Sequence, residues 1–255
     1  MTYITNKDFL IDVQKGNVAG HSLVHKFGRN DGVPNGSFEF VNLLGFTAWP
    51  LSAATTVRVK SGGNVNDTAA GTGAQAITVQ GIDSTLAESS ESVATAGAGV
   101  SAATSASFWR IHRAYVTPAS SGTYGGANIG AVTIENSSGG TDLIQIATQE
   151  GQSQFAGFTI PNNKTGFLLS VQISVDASKA ADIRMYQRAD ITTTTPPVEP
   201  KRLKIYWDGV TGNVVFTPRS PLGAIAESTD IWFEAQGSGA GTEVAVDFEL
   251  LLVDD

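Results

Sequence analysis

The strongest constraint in this sequence is an apolar–polar alternation of period two that returns along the chain while helix-forming stretches are almost missing. Thr55-Thr56-Val57-Arg58-Val59-Lys60 and Ala76-Ile77-Thr78-Val79-Gln80 put every second side chain on one face, the pattern of a half-buried strand. Residues 108–116 form a longer strand candidate with aromatics on both faces. Residues 132–134 and 142–146 flank the turn-prone Asn136-Ser137-Ser138-Gly139-Gly140 and read as a hairpin. Further strand candidates span 154–159, 165–175, 181–188, 202–207, 213–217, 230–235 and 243–253. The longest helix-tolerant stretch, 87–107, is loaded with Ser, Thr, Gly and Val, which are poor helix formers. Short strands bounded by Gly, Asn, Asp and Pro, with no helices between them, build antiparallel sandwiches or barrels rather than parallel sheets. The expected class is all-β, with antiparallel β-sandwich or jelly-roll-like units.

Roughly a dozen strands exceed the seven of one compact sandwich. Two units are therefore expected, 45–150 and 151–255, with the boundary near Glu150-Gly151. A chain of 255 residues buries roughly 70–75% of its unfolded surface, enough for a core without disulfides or metals. Residues 1–44 carry scattered Gly and Pro with no sustained period, and are expected to form an extended N-terminal attachment arm. Thr192-Thr193-Thr194-Thr195-Pro196-Pro197-Val198-Glu199-Pro200 is stiffened by its prolines and reads as a long exposed loop.

Charge narrows the partners. The net charge of −8 disfavours nucleic acid. Residues 1–60 hold six Lys/Arg against four Asp/Glu, and the remaining 195 hold ten against twenty. A slightly basic leading segment on an acidic body points to an arm that docks onto something acidic. The arm residues expected to make that contact are His21, His25, Lys26, Phe27 and Arg29. No apolar run reaches the 18 residues of a membrane helix, and the start lacks the basic-then-apolar order of a signal peptide. No membrane partner is expected, and the chain is expected to be made in a cytoplasm.

Catalytic and cofactor motifs fail on context. There is no cysteine, which excludes thiolate ligands and nucleophiles. Gly71-Thr72-Gly73-Ala74-Gln75-Ala76 resembles a dinucleotide fingerprint, but that chemistry needs a strand before it and a helix after it; here a strand follows. His21 and His25 are four apart, a spacing that suits two metal ligands on a helix face, yet Gly16, Gly20 and Gly28 surround them. Glu88 with Glu91, and Asp176 with Asp182, are carboxylate pairs of the kind glycoside hydrolysis uses; solvated turn formers are the simpler reading. No calcium-loop signature accompanies them. No cofactor, metal or catalytic residue is expected. Trp109, Tyr115, Tyr124, Tyr206, Trp207 and Trp232 are candidates for a sugar-stacking platform, with most of them core. Trp207, just before Asp208-Gly209, is expected to be the exposed aromatic contact.

Three stretches carry a family resemblance. They are Asp8-Phe9-Leu10-Ile11-Asp12-Val13-Gln14-Lys15-Gly16-Asn17 running on to His21 and then His25-Lys26-Phe27-Gly28-Arg29-Asn30; Asn66-Asp67-Thr68-Ala69-Ala70-Gly71 leading into Ile77-Thr78-Val79-Gln80-Gly81-Ile82-Asp83; and the closing Val246-Asp247-Phe248-Glu249-Leu250-Leu251-Leu252-Val253-Asp254. Together they resemble a family of virion structural proteins of tailed phages found in marine and cyanobacterial viruses. The resemblance implies a non-enzymatic component of a virus particle assembled in the host cytoplasm. Its expected role is capsid decoration or cement on the head exterior, with the major capsid protein or tail proteins as partners. The alternative is a tail or fibre component that binds host-surface glycan. The run Leu250-Leu251-Leu252-Val253 implies burial on both faces, either centrally in a sheet or against a neighbour; a closed homo-oligomer, trimeric or pentameric, is expected.

Overall fold

The structure is a computed structural model that describes residues 8–117, 127–176, 178–218, 220 and 222–255. Among these are one short helix and sixteen strands. The strands are β1 (His21–Val33), β2 (Glu39–Phe40), β3 (Thr55–Val59), β4 (Ala76–Ile82), β5 (Glu88–Ala94), β6 (Ser107–Phe108), β7 (Arg110–Val116) and β8 (Val132–Asn136). They continue as β9 (Asp142–Ile146), β10 (Gly157–Thr159), β11 (Lys164–Val175), β12 (Ala181–Arg188), β13 (Arg202–Val210), β14 (Asn213–Phe216), β15 (Asp230–Gly237) and β16 (Thr242–Asp254). The helix α1 (Phe9–Gln14) is capped by Asp8, whose carboxylate accepts from the Leu10 N–H at 3.0 Å. The protein is all-β, as the alternation demands.

Two sheets form one antiparallel sandwich: β1-β16-β11-β14 faces β10-β15-β12-β13, with β2 also paired to β15. Its core draws Leu168, Ile173, Val246, Phe248 and Leu250 from the first sheet and Ile183, Met185, Ile231 and Phe233 from the second. Each such side chain contributes about 1.5–3 kcal/mol on burial. On β16, Val244, Val246, Phe248, Leu250 and Leu252 all point inward, while Glu243 and Glu249 are exposed on the other face. The Leu250–Val253 run therefore keeps its alternation. Leu251 and Val253 are half-buried on the outer face, because β16 lies centrally between β1 and β11.

The segment expected to be a free arm is largely part of this sandwich. His21–Val33 pairs with β16 from His21↔Val253 onward, so β1 and β16 lie side by side in one sheet. Period reading failed here because β1 is an edge strand whose Gly28 and Gly32 interrupt the apolar pattern. Gly28 is required: a Cβ there would lie 2.1 Å from the Ala156 N and 2.4 Å from the Val41 O, so only glycine admits the crossing chain.

After β2 the chain leaves this terminal sandwich and builds a second unit, then returns at β10. The inserted unit packs β6-β3-β8-β9 against β5-β4-β7, around Val57, Val59, Ile77, Val79, Ile111, Ile134, Ile144 and Ile146. The outgoing and returning passes pair with each other: Asn42 bridges Phe155, and the Ala156 N–H donates to the Val41 carbonyl at 3.0 Å. The return at Phe155 also donates to the Phe27 carbonyl at 2.9 Å, covering the edge of β1.

Candidate functional site

The seam between the two units carries both charge and aromatic surface. Arg110 of β7 reaches across to Asp230 of β15, with Nε–Oδ1 and Nη2–Oδ2 distances of 3.2 and 3.0 Å. Both side chains are almost fully buried, at 4% and 0% exposure. The Thr159 hydroxyl donates to Asp230 at 2.6 Å, and the Thr159 N–H donates to His112 Nε2 at 3.1 Å. Because Nε2 accepts, His112 is neutral with its proton on Nδ1. Burial, with Lys26 and Arg110 adding positive charge, holds its pKa well below the usual histidine range.

Beside this network opens a cleft of about 380 Å³, within the size range of small-ligand sites. Its floor is Trp232, clamped between Phe40 and Tyr186 with ring centroids 5.6 Å away on either side. The Trp232 indole donates to Glu234 Oε1 at 2.8 Å, and Lys201 Nζ reaches the same oxygen at 2.8 Å. Trp49 stands nearly perpendicular to Phe40, Phe155 and Trp232, with the Arg110 guanidinium 4.9 Å from its ring centroid. The Trp49 indole nitrogen is buried without a hydrogen-bond partner. Trp109 packs on Ile82, Leu86 and Ile191 and lines the mouth. Ile191, Thr194 and Lys201 bring the Pro-rich loop onto the same cleft. Arg188 is held there by the carbonyls of Glu199 and Thr193 at 3.2 and 3.4 Å, with no carboxylate partner among the described residues.

Flat apolar rings with donors around them suit a ligand that has one apolar face and a polar edge, such as a sugar ring. Among the described residues Glu234 is the only carboxylate lining this cleft, whereas two-carboxylate glycoside hydrolysis needs a pair.

Of the aromatics singled out in the sequence, the fold brings Trp109 and Trp232 together here. Trp207 does not point outward as expected: it is half-buried, 6.2 Å from Phe233 and 6.0 Å from Phe216. The exposed neighbour is Tyr206, at 44%; β13 pairs Trp207 with the buried Ile183, which fixes its inward phase. Tyr115 lies under Arg113 at 4.6 Å, and Tyr124 falls outside the described residues. Trp49, Phe40 and Arg188 went unrecognised. The aromatic and apolar cluster Phe46-Thr47-Ala48-Trp49-Pro50-Leu51, too irregular for a strand, was the available signal.

The proposed docking residues of the arm sit on β1. His21 receives the edge of Phe9 at 5.7 Å, and its Nδ1 lies 2.9 Å from the Ala19 carbonyl oxygen. His25 is exposed opposite Glu249. Four residues along a strand separate the two imidazoles by about 13 Å, too far to share a metal. Arg29 pairs with Asp31 and, at 2.7 Å, with Glu150. Phe27 is half-buried. Lys26 is the correction: it turns inward, 7% exposed, and donates to the His112 carbonyl of the other unit. It stitches the units together instead of reaching a neighbour.

The other motifs resolve as scaffolding. Gly71 and Gly73 let the loop close around Asp67, where a Cβ would meet the Asn66 O at 2.0 Å and Asp67 Oδ1 at 2.1 Å. The buried Asp67 carboxylate accepts from the N–H groups of Ala74, Ile129 and Gly130. Glu91 accepts from Ser105 and Ala106, Asp176 from Ser178, and Asp182 from Tyr206 and Gly209. Among the described residues no three His, Asp or Glu converge to hold a metal.

No protein-family model matches the sequence, and no curated protein matches it. Among solved structures, the isomalto-dextranase of Arthrobacter globiformis T6 complexed with panose is similar at a TM-score of 0.23 and 11% identity, over 91% of this chain and 35% of that one. This chain thus spans about a third of that enzyme, and a likeness so weak carries no argument.

Proposed function

We propose that this chain is a non-enzymatic structural protein of a virus particle, a head-exterior decoration or cement component that seats on neighbouring capsid subunits as a closed homo-oligomer. The reading rests on the resemblance to phage virion proteins and on a body in which two β units are joined by buried polar contacts. The observation that carries it is α1. Phe9, Leu10 and Ile11 are 48%, 37% and 53% exposed, three consecutive large apolar residues on the surface, while Val13 and the Phe9–His21 contact hold the helix to the body. Contiguous exposed apolar surface of this kind marks an interaction site.

The attachment element is then the segment before β1. Deleting residues 1–20 should leave a folded β body, by circular dichroism and thermal melting, that no longer joins particles lacking the protein. Deleting 1–44 would remove β1 and unfold the terminal sandwich. Normal incorporation of the shorter deletion overturns the reading. A second reading, a tail or fibre component holding host-surface glycan, is favoured by the aromatic cleft; a glycan array that lights up with the same protein, and goes dark with Trp109→Ala, would favour it over the first.

A further inference from the structure

On the opposite flank of the seam from the aromatic cleft lies a cavity of about 390 Å³ lined by His25, Lys26, Phe27, Arg113, Gln152 and Ser153. None of these is a carboxylate, in a protein whose net charge is −8. The hydrogen-bond inventory of the lining is one-sided. Lys26 uses one ammonium hydrogen on the His112 carbonyl, and its other two have no acceptor among the described residues. Arg113 spends one N–H on Gln152 Oε1 at 2.7 Å, which leaves the Gln152 amide hydrogens free to donate. Ser153 Oγ accepts from the Ala114 N–H at 2.9 Å, so its hydroxyl hydrogen is also available. Acidic groups stand near this lining but are not part of it: Glu150 gives one carboxylate oxygen to Arg29, Asp247 and Glu249 lie beside His25 on the outer face of the sheet, and Glu88 lines the adjoining cavity, which His25, Lys26 and Arg113 also line.

A buried ammonium without a counter-ion is costly, and it is normally paired or hydrogen-bonded. Here its burial and the proximity of Arg113 push the Lys26 amine down to about 7. The missing element is an acceptor carrying negative charge.

We propose that this cavity binds a small oxyanion of the sulfate or phosphate type, held between Lys26 and Arg113 and completed by Ser153 and Gln152. Charge-assisted hydrogen bonds to several donors at once give such a site its strength. The fold places Lys26 on β1 of the terminal sandwich and Arg113 on β7 of the inserted unit, so the anion also ties the two units together.

The experiment is isothermal titration of the full chain with sodium sulfate, sodium phosphate and a sulfated monosaccharide, at constant ionic strength set with sodium chloride. Saturable one-site binding of the inorganic ions supports the proposal; tighter binding of the sulfated sugar also supports it and names the source of the anion. Arg113→Gln, at an exposed position that leaves the fold intact, should weaken binding about tenfold or more. Lys26→Met should abolish it, and Lys204→Gln on the exposed face of β13 should leave it unchanged. Indistinguishable heats for sulfate and chloride, or unaltered affinity in Arg113→Gln, would overturn it.

Discussion

On one flank of the seam between the units two cations meet carboxylates: Arg110 meets Asp230, and Lys201 meets Glu234. On the other flank Lys26 is buried like Arg110 but meets the His112 carbonyl oxygen and, at 6.0 Å, the Phe155 ring in place of a carboxylate, with a second cation, Arg113, nearby. A buried pair that satisfies itself fixes the register of two packed bodies and gives little net stability. A buried cation without a counter-ion works against folding. The first flank is therefore architecture, and the second is the one the proposed anion would complete.

The comparison breaks most visibly at Asp230. Asp230→Asn keeps the shape but leaves Arg110 buried and uncompensated, and it weakens the acceptor for the Thr159 hydroxyl. The expected loss is about 3–5 kcal/mol, read by urea denaturation. A loss under about 1 kcal/mol would mean that the seam admits water and that its paired flank is not a dry joint.

Lys26→Met should have the opposite sign. The folded-state pKa of about 7 lies below the ordinary 10.5. Between those values the unfolded chain holds a proton that the folded chain lacks, so wild-type stability rises with pH across that window. Below about 7 both states are protonated and the whole cost of the buried charge is present. The shift corresponds to about 5 kcal/mol at 1.36 per unit, offset by roughly 1–3 for the His112 carbonyl left without its donor. A net gain of about 2 kcal/mol is expected at pH 6, fading toward pH 10. His112 adds a slope of its own: its depressed pKa means stability falls as pH drops below 6.5, and less so in the variant, because the Lys26 charge contributes to that depression. A variant no more stable than wild type at pH 6 would place an acceptor beside Lys26 that already neutralises it.

How far the sequence disclosed these two flanks depends on what each is made of. Strands with one face in a core, such as β4 and β12, announce themselves by alternation. The exposed edge strand β5, Glu-Ser-Ser-Glu-Ser-Val-Ala with only Val93 buried, gives no such signal because backbone pairing with β4 holds it. The insertion of one unit into the other was invisible, since the pairing of β1 with β16 joins residues more than two hundred positions apart and leaves no local trace. Trp109 and Trp232 were legible as aromatics, but their convergence with Trp49 depends on how the units dock. Lys26 was singled out for the right charge and the wrong direction: alternation on β1 turns it inward, and a lysine pointing inward contradicts composition rules that place lysine outside.

The smallest effect should come from Lys201→Met, and it tests whether the paired flank is uniform. Lys201 is 49% exposed against 5% for Glu234, so the pair sits at the mouth of the aromatic cleft, where water and salt reach the ammonium. Glu234 keeps the Trp232 indole hydrogen bond when Lys201 is gone, and solvent in the cleft takes the vacated side. The substitution also removes the ammonium from over the Tyr186 ring, 4.3 Å from its centroid, a cation–π contact worth about 0.5 kcal/mol at so exposed a site. A loss of about 1 kcal/mol or less follows for a pair with one partner exposed. It should shrink further in about 0.5 M salt, because exposed charges are screened over a few ångströms there; the Asp230→Asn loss should not. Equal losses at the two positions, both indifferent to salt, would make the cleft as dry as the Arg110–Asp230 joint and remove it as a site open to a polar ligand.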